Sequence, residues 1–252
     1  MQIQLVRHAT LRLEYAGLIF LVDPMFSAKG EMPAVPNTPN QRPNPGVGMP
    51  ITVEEVVAGV DAILVTHTHF DHLDEAAIRL LPKHLPVFCQ PPDLDKLVQH
   101  GFEQVISIEE EYTWQGVYLH RTGGQHGTGE IGQQMGPVSG FVLERAGEQT
   151  LYVAGDTIWC EEVEQAVTAY RPDAIVVFAG AAQFLTGGPI TMTKEDIVQV
   201  ANAAPDSRIL VVHMETWNHC LLSRRELNEC LQEKQLAGRV HVPQDGEIIS
   251  FH

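Results

Sequence analysis

Basic residues are scarce in this chain. It carries 16 Lys and Arg against 32 Asp and Glu, a formal net charge of −16 over 252 residues. A nucleic-acid binder carries a basic face, and the only basic doublet is Arg224-Arg225, so nucleic acid is not an expected partner. Long apolar runs are missing too. The N-terminus, MQIQLVRHATLRLEY, lacks the uninterrupted apolar segment of a signal peptide, and no window approaches a membrane span. The expected location is cytoplasmic, without membrane contact. Cysteine is sparse: Cys89, Cys160, Cys220 and Cys230 form no CxxC pair and read as free thiols of a reducing compartment. GxSxG is absent, which removes the usual signature of a serine nucleophile.

Hydrophobic residues at 44% and charged residues at 19% describe an ordinary globular chain, long enough for one α/β domain spanning residues 1 to 252. QIQLV, LRLEY and LIFLV read as short strands, the last two joined by an Ala16-Gly17 turn. Residues 24 to 50 are then crowded with Pro, Gly and Asn, which excludes a helix or a central strand. A connection that long suggests a loop over a site, in contact with substrate. Downstream, apolar strand runs alternate with helices. TVEEVVAG, LDEAAIRLL and DLDKLVQH, the last with Asp93 as its cap, read as helices. Capping boxes at Thr193–Asp196 and Ser223–Glu226 open two more. This order points to α/β layering around buried sheets.

One stretch departs from ordinary composition. THTHFDH places His67, His69, Asp71 and His72 directly after the buried strand DAILVT. Two further strand runs end the same way, TLYVAG at Asp156 and ILVV at His213. Strand ends are where α/β sheets build sites, and three such endings suggest convergence on one place. Imidazole and carboxylate are ligands for zinc and also suit iron or manganese. His126 sits in the Gly-rich RTGGQHGTGE, where backbone freedom permits close approach. Asp156 also suits a plain Gly-Asp turn, and His219 rivals His213 in HMETWNHC. His8 lies between two early strands. His84, His100, His120, His241 and His252 carry no distinguishing pattern.

THTHFDH, the later Gly-flanked His, the GD after a strand and the final strand-end His resemble the metallo-β-lactamase superfamily along nearly the whole chain. The opening HATLRLEYAGLIFLVDP is similar to its stand-alone branch of L-ascorbate-6-phosphate lactonase-like proteins and uncharacterised metal-dependent hydrolases. The resemblance implies a four-layer αββα sandwich with two divalent ions at one edge of the sheets. It implies His67, His69 and His126 on one ion, Asp71, His72 and His213 on the other, Asp156 bridging, and Asp23 supporting the ligands. The chemistry it implies is hydrolysis of an ester, lactone or phosphodiester of a small substrate by a metal-held hydroxide, with Asp71 orienting the nucleophile and accepting its proton. A phosphorylated substrate would want Arg42, Arg121 or Lys29 near the metals. Trp159 and the Phe184–Pro189 loop are further candidates for shaping the site. A non-catalytic metal-binding or sensing module and an iron-dependent redox protein are the alternatives on the same fold. A homo-oligomer is left open.

Overall fold

Two seven-stranded sheets carry the chain in this computed structural model, which describes residues 1 to 251. His252 lies outside the described residues. The first sheet opens as an antiparallel meander of β1 (Gln2–Arg7), β2 (Thr10–Tyr15) and β3 (Leu18–Val22). It continues through parallel β4 (Ala62–Val65), β5 (Pro86–Cys89) and β6 (Gln104–Ser107). The second sheet begins antiparallel with β7 (Glu111–Trp114), β8 (Val117–Thr122), β9 (Gly140–Glu144) and β10 (Leu151–Val153). It then runs parallel through β11 (Ala174–Phe178), β12 (Arg208–Val212) and β13 (Val240–His241). The C-terminal β-rich segment divides between the two: β13 stays on the second sheet, while β14 (Ile248–Ser250) crosses back and pairs with β1.

Period-two burial explains the layering. In β4, Ala62 and Leu64 face the core between the sheets, while Ile63 and Val65 face outward into a second apolar layer. The same split divides Val176 from Val177 in β11 and Leu210 from Val211 in β12. Strands buried on both faces need helices on their outer sides. Accordingly α1 (Val53–Val57), α2 (Glu75–Leu80) and α3 (Leu94–Gln99) give Val56, Ala77 and Leu97 to the outer layer of the first sheet. α4 (Gly129–Met135) lies in the His126 segment. α5 (Glu161–Tyr170), α6 (Lys194–Ala203) and α7 (Arg224–Glu233) cover the second sheet through Val163, Ile197 and Leu227. The result is the expected αββα sandwich.

The capping boxes form at Thr193–Asp196 and Ser223–Glu226, and a third forms at Thr52–Glu55. Asp93 departs from expectation. It occupies the N-cap position of α3 but makes no cap bond, because its carboxylate accepts from Thr68 Oγ1 at 2.7 Å and Gln90 Nε2 at 2.8 Å. Helix α4 was not legible in the Gly-rich sequence: it has no side-chain cap and buries none of its residues.

The 24–50 segment is a pinned strap. Buried Arg7 donates to the carbonyls of Val47, Met25 and Ser27, each at 3.0 Å. Asp74 holds the strap's start by accepting from Phe26 N and Ser27 N at 2.9 and 2.7 Å. Its far part is tied to the segment after β12. Asn218 bonds Val35, Thr38 and Asn44, and Arg42 donates to the carbonyls of Glu215, Thr216 and Trp217.

Candidate metal centre

The C-terminal ends of β1, β3, β4, β10 and β12 meet at one edge of the sandwich. His8, Asp23, Thr66–His67, Asp156 and His213 follow them in turn. A tight turn carries His67 through His72, with His72 N and Leu73 N both donating to the His69 carbonyl at 2.9 Å. That turn brings His69, Asp71 and His72 back toward His67.

Four imidazoles are fixed by the same device. His126 Nδ1 donates to the Ile190 carbonyl at 2.7 Å, and His213 Nδ1 donates to the Ala179 carbonyl at 3.2 Å. His72 Nδ1 lies 2.9 Å from Asp23 Oδ2. Thr66 Oγ1 gives its proton to Asp23 Oδ2 at 2.7 Å, so it accepts from His67 Nδ1 at 3.1 Å. A proton held on Nδ1 aims Nε2 into the site, the orientation a metal-binding imidazole uses. Asp23 thus orients His72 directly and His67 through Thr66. It also accepts from Thr66 N at 2.8 Å.

The aimed atoms crowd together, and only some of them satisfy one another. His67 Nε2 faces His69 Nδ1 at 3.0 Å. Asp156 Oδ2 lies 3.1 Å from His72 Nε2, 3.3 Å from His213 Nε2 and 3.6 Å from His126 Nε2. Asp71 Oδ2 lies 3.3 Å from His213 Nε2 and 3.2 Å from His8 Nε2. His72 Nε2 is close to Asp156 but out of line for a hydrogen bond, and Asp156 Oδ1 is buried with no partner. Orphaned buried polar atoms are costly, about 1–3 kcal/mol each, and a cation would satisfy these. Three groups bring one ligand atom per residue within 4.8 Å of one another: His67, His69 and His126; His67, His72 and Asp156; and His8, Asp71, His72 and His213. The donor chemistry therefore fits divalent cations, with Asp156 between the sets.

The charges divide unequally. Burial, then the neighbouring His72 and His69, push His67 well below the usual imidazole range. Burial also pushes His126 down. Burial opposes the charge of His72 too, yet Asp156, Asp71 and Asp23 raise it to about 10. Asp156 likewise outweighs burial at His213 and holds it well above the ordinary value. Asp71 and Asp156 sit well below the carboxylate range. Burial would raise both, but His72 and His213 prevail.

Several other residues singled out in the sequence can be placed relative to these groups. His213, not its rival His219, joins a donor group. His8 joins as well; its signal was only its place between two strands. It is fully buried at φ 57°, with its carbonyl accepting from His213 N at 2.9 Å. Cys220 Sγ lies 3.8 Å from His213 Nδ1 but belongs to no donor group. Trp159 is half-buried and packs against the apolar layer that contains Val163 of α5. The strap's Met25, Met32 and Val35 join Ile190, Trp217 and Phe184 in one apolar cluster beside the centre. Two of the three cationic candidates are committed elsewhere, and the third is not. Arg42 is bound to main-chain carbonyls, Arg121 donates to Glu109 O and Ser139 Oγ, and Lys29 is exposed on the strap.

Comparison with known proteins bears on this geometry. Residues 19–214 match the family model described as the beta-lactamase superfamily domain. UPF0173 protein YddR of Bacillus subtilis is 40% identical over 254 residues, covering 100% of both chains. A Veillonella parvula structure described as a possible metal-dependent hydrolase superposes with TM-score 0.97 at 35% identity, covering 100% of this chain and 99% of the other. An isothiocyanate hydrolase from Delia radicum gut bacteria superposes with TM-score 0.95, also at 35% identity and with coverage of 100% and 99%. No helix among the described residues is long and apolar enough to cross a membrane.

Proposed function

The chain belongs to the beta-lactamase superfamily domain family, and on that premise we propose that it is a metal-dependent hydrolase of small, uncharged electrophiles carrying an apolar substituent. His67, His69 and His126 hold one divalent ion in this reading, and Asp71, His72 and His213 hold a second. Asp156 serves both. Zinc is the natural match to imidazole and carboxylate, and manganese and iron accept the same donors. Cations held there supply acidity to water, from a pKa of about 16 toward about 7, and polarise the electrophile. Asp71 orients the attacking water and takes its proton. Asp23 keeps the proton on His72 Nδ1 and, through Thr66, on His67 Nδ1, so that both Nε2 atoms stay available.

The observation that carries the substrate class is the committed state of the two guanidiniums. Arg42 and Arg121 are already bonded to the protein, and the cluster beside the centre is built from Met25, Met32, Val35, Phe184, Ile190 and Trp217. A phosphorylated substrate finds no free guanidinium there. An isothiocyanate, R–N=C=S, is neutral and carries its electrophilic carbon next to an apolar group. The likeness to a full-length isothiocyanate hydrolase supports that class. Neutral esters and lactones are the second choice, and phosphodiesters the third.

Elemental analysis of the purified protein tests the reading, together with a substrate panel of benzyl isothiocyanate, a γ-lactone and a bis-aryl phosphodiester. The expected result is about two divalent ions per chain, hydrolysis of the isothiocyanate above the others, and loss of activity to a chelator. Absence of metal after reconstitution, or activity that a chelator leaves untouched, would overturn it.

A further inference from the structure

One more imidazole stands beside the donor sets without belonging to either. His219 is 7% exposed, on the segment that follows His213. Its ring lies between aromatic neighbours, with centroids 6.5 Å from Phe184 and 6.2 Å from Trp217. Its backbone is fixed from several sides. The His219 carbonyl accepts from Gln183 N at 3.1 Å. The preceding Asn218 is locked to the strap, its N donating to Asn44 Oδ1 at 2.9 Å and its Nδ2 to Thr38 Oγ1 at 2.7 Å. The following Cys220 N donates to the Trp217 carbonyl at 3.1 Å.

That ring has no work to do within the protein. Among the described residues no side-chain hydrogen bond reaches either nitrogen, and Nδ1 is sealed from solvent without a partner. Burial holds the imidazole neutral by pushing it down to about 4, against the pull of Asp71 and Asp156. Trp217, 6.2 Å from the His219 ring, is also 6.2 Å from the ring of His8, and the adjacent Cys220 has its Sγ 3.8 Å from His213 Nδ1, so the His219 ring stands beside the centre. A neutral imidazole carries a single N–H. Sealing that N–H against apolar walls leaves a donor unsatisfied, which is rarer in proteins than an unsatisfied acceptor. The proton therefore belongs on Nε2, the nitrogen left open to a ligand. If the site needed only to be filled at this point, an apolar side chain would fill it without burying an unpartnered Nδ1.

We propose that His219 is a catalytic residue that contacts the substrate's leaving heteroatom, donating a hydrogen bond from Nε2 to it while Phe184 and Trp217 receive the apolar substituent. This rests on the hydrolase reading above. For R–N=C=S, the water oxygen bonds to the central carbon and one water proton passes to Asp71. The C=N π pair moves onto nitrogen, where the His219 N–H meets the growing negative charge. Nitrogen then takes the proton from Asp71. The product of addition is R–NH–C(=S)–OH; its remaining hydroxyl proton shifts to sulfur to give R–NH–C(=O)–SH, which splits next: the C–N bond breaks with its pair on nitrogen, nitrogen takes the S–H proton, and R–NH2 and O=C=S leave. For an ester or lactone the same N–H meets the departing oxygen.

His219→Phe and His219→Gln test the assignment in the metal-loaded protein, with metal content and Tm measured beside kinetics. Removing one donor aimed at developing charge costs about 10²–10³-fold in kcat. His219→Phe should lose that much at unchanged metal content, and His219→Gln, which keeps an N–H, should recover part of it. The loss should be greater for alkyl than for aryl isothiocyanates, because an aryl ring already spreads the charge on nitrogen. Aniline, a neutral product amine, should bind His219→Phe about tenfold more weakly by calorimetry, the loss of roughly one hydrogen bond. Unchanged kcat in both variants, equal losses for alkyl and aryl substrates, or lost metal would overturn the role of His219. If His219→Phe does not fold, the alkyl–aryl comparison in His219→Gln decides alone. Wild-type protein that binds metal but hydrolyses nothing on the panel would overturn the hydrolase reading first.

Discussion

The two donor sets share one edge of one sandwich and are held in opposite ways. His67 and His126 are kept neutral by burial, and the nearest carboxylate to them, Asp156, is shared. His72 faces Asp71, Asp156 and Asp23, His213 faces Asp71 and Asp156, and those carboxylates favour their protonated forms. In the first set, His67 and His126 are neutral rings with little charge behind them. The other is a buried ion cluster that already satisfies part of its own charge. The difference shows that similar ligands need not make equivalent sites: what matters is which charges the fold places behind them.

The strongest way to break the contrast is to remove the residue that joins the sets. Asp156→Ala should reduce occupancy at both positions and lower hydrolysis by about 10³-fold, the scale of losing a group that stabilises the reacting charge. His69→Ala should empty only the first position. Metal counts on the two variants check this, with activity beside them. If Asp156→Ala loses a single ion while His69→Ala loses both, Asp156 is not the shared group.

Proton release sharpens the comparison further. At pH 7, His72, raised to about 10, carries a proton that a cation must displace. His67 and His126 lie below their ordinary value, so they are already deprotonated there. The first ion should therefore bind with little proton release, and the second with release of about one to two protons. The second site's affinity should fall about tenfold per pH unit for each proton displaced as the pH drops below the raised values, and the first should hold down to lower pH. Titration calorimetry in two buffers of different ionisation enthalpy reads the protons directly. Equal release for both ions would remove the distinction.

The legible parts of the centre were the ones written locally. His67, His69, Asp71 and His72 sit on one turn after an apolar strand, and Asp156 and His213 follow buried strand runs. His8 was barely visible because its placement depends on the two sheets meeting: the bond from His213 N to its carbonyl spans most of the chain. The strap could be read as a loop from its prolines. Its anchoring could not, since Arg42 and Asn44 find their partners at Thr216 and Asn218, more than 170 positions away. β7 was hard to recognise for a different reason. Glu111, Tyr112 and Thr113 are exposed, so the strand lacks the burial alternation that marks an inner strand.

The smallest predicted effect separates the two sets most cleanly. Asp23 touches His72 directly but reaches His67 only through the hydroxyl of Thr66. Asp23→Ala should weaken both positions, by about 10–100-fold at the second, the usual cost of losing a partner that orients a metal-binding imidazole. Thr66→Val keeps the shape of the side chain and the Asp23–His72 contact while leaving the His67 Nδ1–H without its acceptor. It should weaken the first position by about tenfold and leave the second close to wild type. Stepwise metal titrations of the two variants distinguish these outcomes. Should Thr66→Val weaken the second ion as strongly as the first, the Asp23–Thr66 pair would be acting on the turn as a whole and not through individual imidazoles.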